Sequence, residues 1–139
     1  MASLIYDSAP DDTVRGNLNF SSDTYKLMLV TSSYTPNKAT DLKRSNVTNE
    51  VSGTGYTTGG SATTATITKD TVNHRVDITF SSVSWTTSTI TAAAGVIYKS
   101  RGGASSADEL VAYVDFGGNV TSTAGTFTVT FSSPYRIQN

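Results

Sequence analysis

The chain has 139 residues, 10 basic and 11 acidic, with a formal charge of −1 and no cysteine. That length suits a single domain that buries about two-thirds of its unfolded surface in one core. The near-neutral balance argues against nucleic acid as a partner, and the missing thiols exclude disulfides, thiolate catalysis and Zn–Cys sites. The 24 Thr and 19 Ser, against 15% charged residues, point to strands with weakly charged outer faces, because β-branched Thr fits a pleated surface. Periodic placement of the 37% hydrophobic residues argues against a disordered Ser/Thr tract. No run approaches the roughly 20 apolar residues of a membrane helix. The N-terminus lacks a basic region followed by a long apolar run, so synthesis in the cytosol is expected.

In chain order, residues 1–22 form an expected N-terminal arm. Leu4, Ile5, Tyr6, Leu18 and Phe20 are its apolar beads, set around a turn-prone middle with Asp11, Asp12, Arg15 and Gly16. Such an arm either completes the domain's own sheet or pairs with another subunit, and the sequence leaves both open. The sandwich domain is expected from 23 to 139. "YKLMLV" (25–30) is apolar on both parities after Lys26 and reads as a central strand covered on both sides. Residues 31–60 then form a long polar loop that carries Lys38, Lys43 and Arg44 between Tyr34 and Tyr56.

Beyond the loop, apolar residues recur with period two: Ala65 and Ile67, then Val76, Ile78 and Phe80, with "KDTVN" as a tight connection in a hairpin over 62–80. Val83 and Trp85 share a parity that suggests core. "STITAAAGVIYKS" (88–100) is predicted as a strand with a bulge near Ala94 and Gly95, because Gly95 and the β-branched residues oppose a helix. "KSRGGASSADE" (99–109) reads as a mobile loop. Leu110, Ala112, Val114 and Phe116 alternate, "FGGN" (116–119) reads as a reversal, and Phe127, Val129 and Phe131 alternate again. The expectation is an all-β protein, an antiparallel β-sandwich of seven or eight strands with the jelly roll among its variants, and no helix.

Catalytic chemistry finds little purchase. His74 is the only histidine, and its parity with Val76 predicts a core-edge imidazole rather than a base. One His without Cys builds no His-based metal site. Asp7, Asp11, Asp12 and Asp23 lack calcium-loop spacing and read as solvated turns. "GTGYTTGG" (53–60) lacks the ending and context of a phosphate loop and reads as a flexible tip. "DFGG" (115–118) reads as a hairpin turn, and three sequon matches are chance in so Ser/Thr-rich a chain. Asp77 and Asp115 lie on outward parities and offer the one acid pair a hydrolase would need. For glycan stacking, Tyr34, Tyr56, Trp85, Tyr98 and Tyr135 are the candidate rings, with Tyr34 and Tyr56 the plausible platform. No catalytic residue, cofactor or metal is expected.

Four blocks carry a likeness: "YKLMLVTSSYTP" (25–36), "VTNEVSGTGYTTGG" (47–60), "WTTSTITAAAGVIYK" (85–99) and "AYVDFG" (112–117). In order and spacing they resemble a family of small virion structural proteins of tailed bacteriophages. The departure is "TAAAGVIYK", where a larger or charged residue near Ala93 or Ala94 is expected. The resemblance implies a non-enzymatic head decoration (cement) protein on the capsid surface, made in the bacterial host cytoplasm. Its implied partners are the phage major capsid protein and further copies of itself, a trimer by preference, with neither nucleic acid nor membrane. Contacts are expected from Leu4, Ile5, Tyr6, Leu18 and Phe20 of the arm and from Tyr34, Lys38, Lys43, Arg44 and Tyr56 of the loop. A tail or tail-tip component, with a glycan-binding role, is the alternative.

Overall fold

The computed structural model describes residues 2–139 as two antiparallel sheets. The strands are β1 (Leu4–Ile5), β2 (Tyr25–Val30), β3 (Ser61–Thr63), β4 (Ala65–Asp70), β5 (Arg75–Phe80), β6 (Val83–Lys99), β7 (Leu110–Val129) and β8 (Tyr135–Gln138). One sheet has the order β1-β7-β6-β2-β3 and the other β4-β5-β8. The fold is all-β, a sandwich with eight strands among the described residues, and period-two alternation is its cause: Ile78, Val83, Trp85, Phe127, Val129 and Tyr135 turn inward while their neighbours stay wet.

β2 behaves as a central strand. Tyr25, Leu27 and Leu29 join the core between the sheets, and Met28 and Val30 join a second cluster on the opposite face. That second cluster, with Tyr6, Tyr34, Val96, Tyr98, Leu110 and Tyr113, lies beneath residues from the polar loop. Burying each such side chain stabilises the fold by about 1.5–3 kcal/mol. The loop at 31–60 is therefore a cover over the outer face of the large sheet. It is also stitched to β2 by backbone: Thr31 N–H donates to Asn49 (2.9 Å) and Val51 N–H to Leu29 (3.0 Å).

Several expectations are corrected. A helix exists: α1 (Ser8–Val14), with Pro10 in its first turn, an Arg15–Asp11 pair at 2.9 Å and Gly16 at φ +81° just past its end. Seven residues are too few for a visible 3.6-residue period. "FGGN" is no reversal, because β7 runs through it: Ala92 faces Val120 and Ala94 faces Asp115, so residues 116–119 bulge out opposite Ala93 alone. This is also the irregularity expected near Ala94, with the extra residues on the partner strand. The hairpin begins at Ala65, since 61–63 belong to the other sheet. His74 is exposed in the turn after β4 with φ +55°, so its parity with Val76 does not carry it into the core.

Candidate functional site

The side chains with the most specific geometry fasten the long loop. Arg44 begins a short 3₁₀ turn (Arg44–Asn46), and its Nε donates to Asp108 Oδ2 at 2.8 Å, where the Asp108 side chain is 1% exposed. Its guanidinium lies 5.1 Å from the centre of the Tyr98 ring. Next to it Glu109, 4% exposed, takes two bonds from Arg101 (2.8 and 2.6 Å) and has the Lys43 ammonium at 3.7 Å. Burial works to raise the Glu109 carboxyl, but its hydrogen bond from Arg101 and the charge of Lys43 outweigh this and hold it below the ordinary range. Loop 99–109 is thus the anchor of the clasp. The lone signal for this in the sequence is an acid pair placed directly before an apolar run, "DELVAY".

Tyrosines complete the fastening. Tyr34, 4% exposed, donates to Asp41 (2.8 Å) and shares a hydrogen bond with Tyr6 at 2.8 Å. Tyr56 donates to Glu50 and receives the Leu29 N–H at 3.0 Å. Burial pushes both phenols well above their ordinary value, with the carboxylates of Asp41 and Glu50 adding to the shift, and Tyr98 is pushed up to about 12 by burial. Tyr34 is too deeply buried for a stacking platform, and Tyr56 is half-buried with its ring set against Trp85 at 5.8 Å. Trp85, Tyr98 and Tyr135 are buried too. "GTGYTTGG" is no flexible tip, because Gly59 N–H binds Glu50 (2.7 Å) and the Gly59 carbonyl accepts from Tyr98.

The arm is similarly spent. Leu4 and Ile5 pair with Tyr113 and Ala112 at the edge of the large sheet, Tyr6 is fully buried, and Leu18 and Phe20 sit in the main core, Phe20 stacked on Tyr25 at 5.1 Å. Tyr6, Leu18 and Phe20 therefore have no surface left for a neighbour, which corrects their expected role as partner contacts. Leu4 and Ile5 keep partial exposure. Lys38 is exposed, 3.9 Å from Asp7, and Lys43 is half-buried.

The proposed acid pair is not brought together: Asp77 lies in the small sheet and Asp115 in the large one. Arg136 at 2.8 Å and Arg75 at 3.3 Å accompany Asp77, and the Arg136 hydrogen bond holds its carboxyl below the ordinary range. Among the described residues no three of His, Asp and Glu gather as a metal site would require.

Three surfaces among the described residues are open to a partner and carry apolar groups beside polar ones. One is the outer side of the loop, polar from Asn37 to Thr40 and exposing Leu42 at 46%. The second is the end of the small sheet's inner face, where Ile67, Val76 and Ile137 overhang the sandwich. The third is a groove of about 620 Å³ along β7, lined by Ile5, Phe116, Val120, Phe127 and Phe131. Comparison with protein-family models, curated proteins and solved structures finds no match to this chain.

Proposed function

We propose that this chain is a structural protein of a phage virion, a decoration protein that binds the capsid surface and stabilises the shell by bridging capsomers. The single observation that carries the reading is the fixed polar loop. Residues 31–60 hold only one short 3₁₀ turn and isolated bridges, yet ion pairs and buried tyrosines hold them to one path. A loop ordered in advance loses little entropy when it docks, so a polar face with one exposed Lys and one exposed Leu makes a useful contact surface. Each contact with a shell contributes modestly, and many copies act together. The likeness of four blocks to phage virion proteins supports the same reading, and the loop contributes half of one of them and the whole of another.

The test adds purified protein to heads that lack it and measures occupancy and heat resistance. Wild type fills the heads and raises their heat resistance. The pair Lys38→Glu and Leu42→Asp, both on the loop's exposed side, keeps the melting transition but loses occupancy at least about tenfold, equivalent to some 1.4 kcal/mol. Unchanged occupancy by that variant removes the loop from the interface. Wild type that never binds heads refutes the capsid reading, and its recovery on tails places it there instead.

A further inference from the structure

The groove borders an unusual strand edge. β1 covers β7 only at Ala112 and Tyr113, and beyond it no strand among the described residues flanks β7 from Phe116 to Val129. Exposed edges are normally guarded with Lys, Pro or inward charges, because unpaired N–H and C=O groups recruit other strands. This edge has neither a charge nor Pro as a guard, only the bulges at 116–119 and 123–124: between Asp115 and Arg136 the sequence contains no charged residue, and none of its residues within β7 is Pro.

Its sequence is also nearly palindromic. "VTSTAGTFTV" (120–129) reads Val-Thr-Ser-Thr inward from one end and Val-Thr-Phe-Thr from the other. The faces follow the same symmetry. Ser122, Phe127 and Val129 are buried and Val120 lines the groove, whereas Thr121, Thr123, Thr126 and Thr128 are exposed. The parity switches at a bulge, where Thr123 and Ala124 oppose Thr89 alone and Ala124 takes φ +45°. Because both copies carry the same bulge at the centre, an antiparallel self-pairing about it still sets every inward residue opposite an inward one.

We propose that two copies of this chain associate edge to edge, β7 against β7, about a two-fold axis between Ala124 and Gly125. Val120 of each copy then faces Val129 of the other, Thr121 faces Thr128, Ser122 faces Phe127 and Thr123 faces Thr126. Pairs of β-branched residues are favourable across antiparallel strands, and the interface is isologous, one patch meeting itself. The two grooves meet across the axis, so Phe127 and Val129 of both copies close a common apolar floor. A charged strand would lose solvation there without gaining a partner, which favours a second copy over a basic or acidic segment. The inference does not depend on the capsid reading, and it gives two-fold association where the resemblance implied a trimer.

Edge-to-edge contacts fall at the small end of interface sizes, below about 1,200 Å², so the association is reversible and is measured by sedimentation across a concentration series. Wild type rises from the single-chain mass of 14.6 kDa toward twice that value. Thr121→Lys with Thr128→Lys, both on the exposed face, sets Lys against Lys on each side of the axis and weakens association at least about tenfold. Thr121→Lys with Thr128→Glu sets Lys against Glu twice and keeps the dimer. Thermal melts of both variants check that the fold survives. Wild type that stays monomeric, or forms a trimer, overturns the proposal. So does a Lys/Lys variant that associates like wild type, or a folded Lys/Glu variant that does not associate.

Discussion

Gly60 takes φ +80°, and a Cβ at that position would collide with the carbonyl of Leu27 on the neighbouring strand. Two costs therefore add in Gly60→Ala: a left-handed backbone on a residue with a Cβ, and displacement of β2 or of β3, which starts at the next residue. The expected loss is about 2–4 kcal/mol, read as a lower midpoint in urea with an unchanged slope. Gly16→Ala is the control, since its φ of +81° has the same backbone cost but nothing lies within 4 Å of the added methyl. It should lose only about 1 kcal/mol. Equal losses at both positions would mean that the close approach to Leu27 contributes nothing. Tyr34→Phe tests a different residue-scale feature: it leaves the buried Tyr6 hydroxyl without its partner and costs about 1–3 kcal/mol.

The loop and its anchor stand or fall as one element. Removing the Arg44 side chain leaves the Asp108 carboxylate buried with only the Arg101 N–H at 2.9 Å, and breaking a buried pair this way costs about 3–5 kcal/mol. Arg44→Ala should therefore speed hydrogen exchange at Asn46, Val47 and Val51 well before it does so in β5; uniform acceleration would mean the clasp is not local. Acid acts on the same element. Glu109 and Asp23 are held below their ordinary values of 4.5 and 3.8, Glu109 by Arg101 and Lys43 and Asp23 by Lys99, in both cases against the effect of burial. A depressed carboxyl binds its proton less readily in the folded state. The stability it contributes is present above the ordinary value and disappears as pH falls through the folded one. The melting temperature should drop from about pH 5 to pH 3, and Glu109→Gln should start lower and fall less steeply; parallel curves would exclude Glu109 as a cause. How much of this was legible depends on the range of each interaction. Strands β4 and β5 and both ends of β7 are visible because period two is local, repeated and written in side-chain type, and β2 because it is apolar on both parities. The clasp joins Arg44 to Asp108 and Tyr6 to Tyr34 across long stretches of chain, so nothing nearby marks them as partners. The loop looked solvated because it covers the sheet with few apolar groups, and its polar groups are paired among themselves. Gly117 and Gly118 read as a turn because glycine permits positive φ in a bulge as readily as in a reversal.

At the scale of the molecule, residues 2–22 are woven into both cores. Tyr6 and Leu4 contribute to the cluster under the loop, and Ala9, Leu18 and Phe20 to the one between the sheets, where Phe20 also meets Phe80 and Tyr135 edge-on at 6.2 and 5.7 Å. An arm reaching for a neighbour would be dispensable for folding, whereas a segment built into both faces of the large sheet is not. Removing large buried side chains costs about 2–5 kcal/mol each, and three of them, Tyr6, Leu18 and Phe20, leave together with β1 and α1. That sum rivals the whole stability of a typical domain, about 5–15 kcal/mol. A chain lacking residues 1–22 should therefore show no cooperative melt and no protected amides in β2. Because truncation removes contacts on both faces at once, the point variant Phe20→Ala separates the two cores. It should lower the melting temperature while leaving the Tyr6–Tyr34 phenols protected from alkaline titration until the global transition. A truncated chain that melts cooperatively near wild type would show that the body from 23 to 139 folds by itself, and the N-terminal segment would again be free to act on a partner.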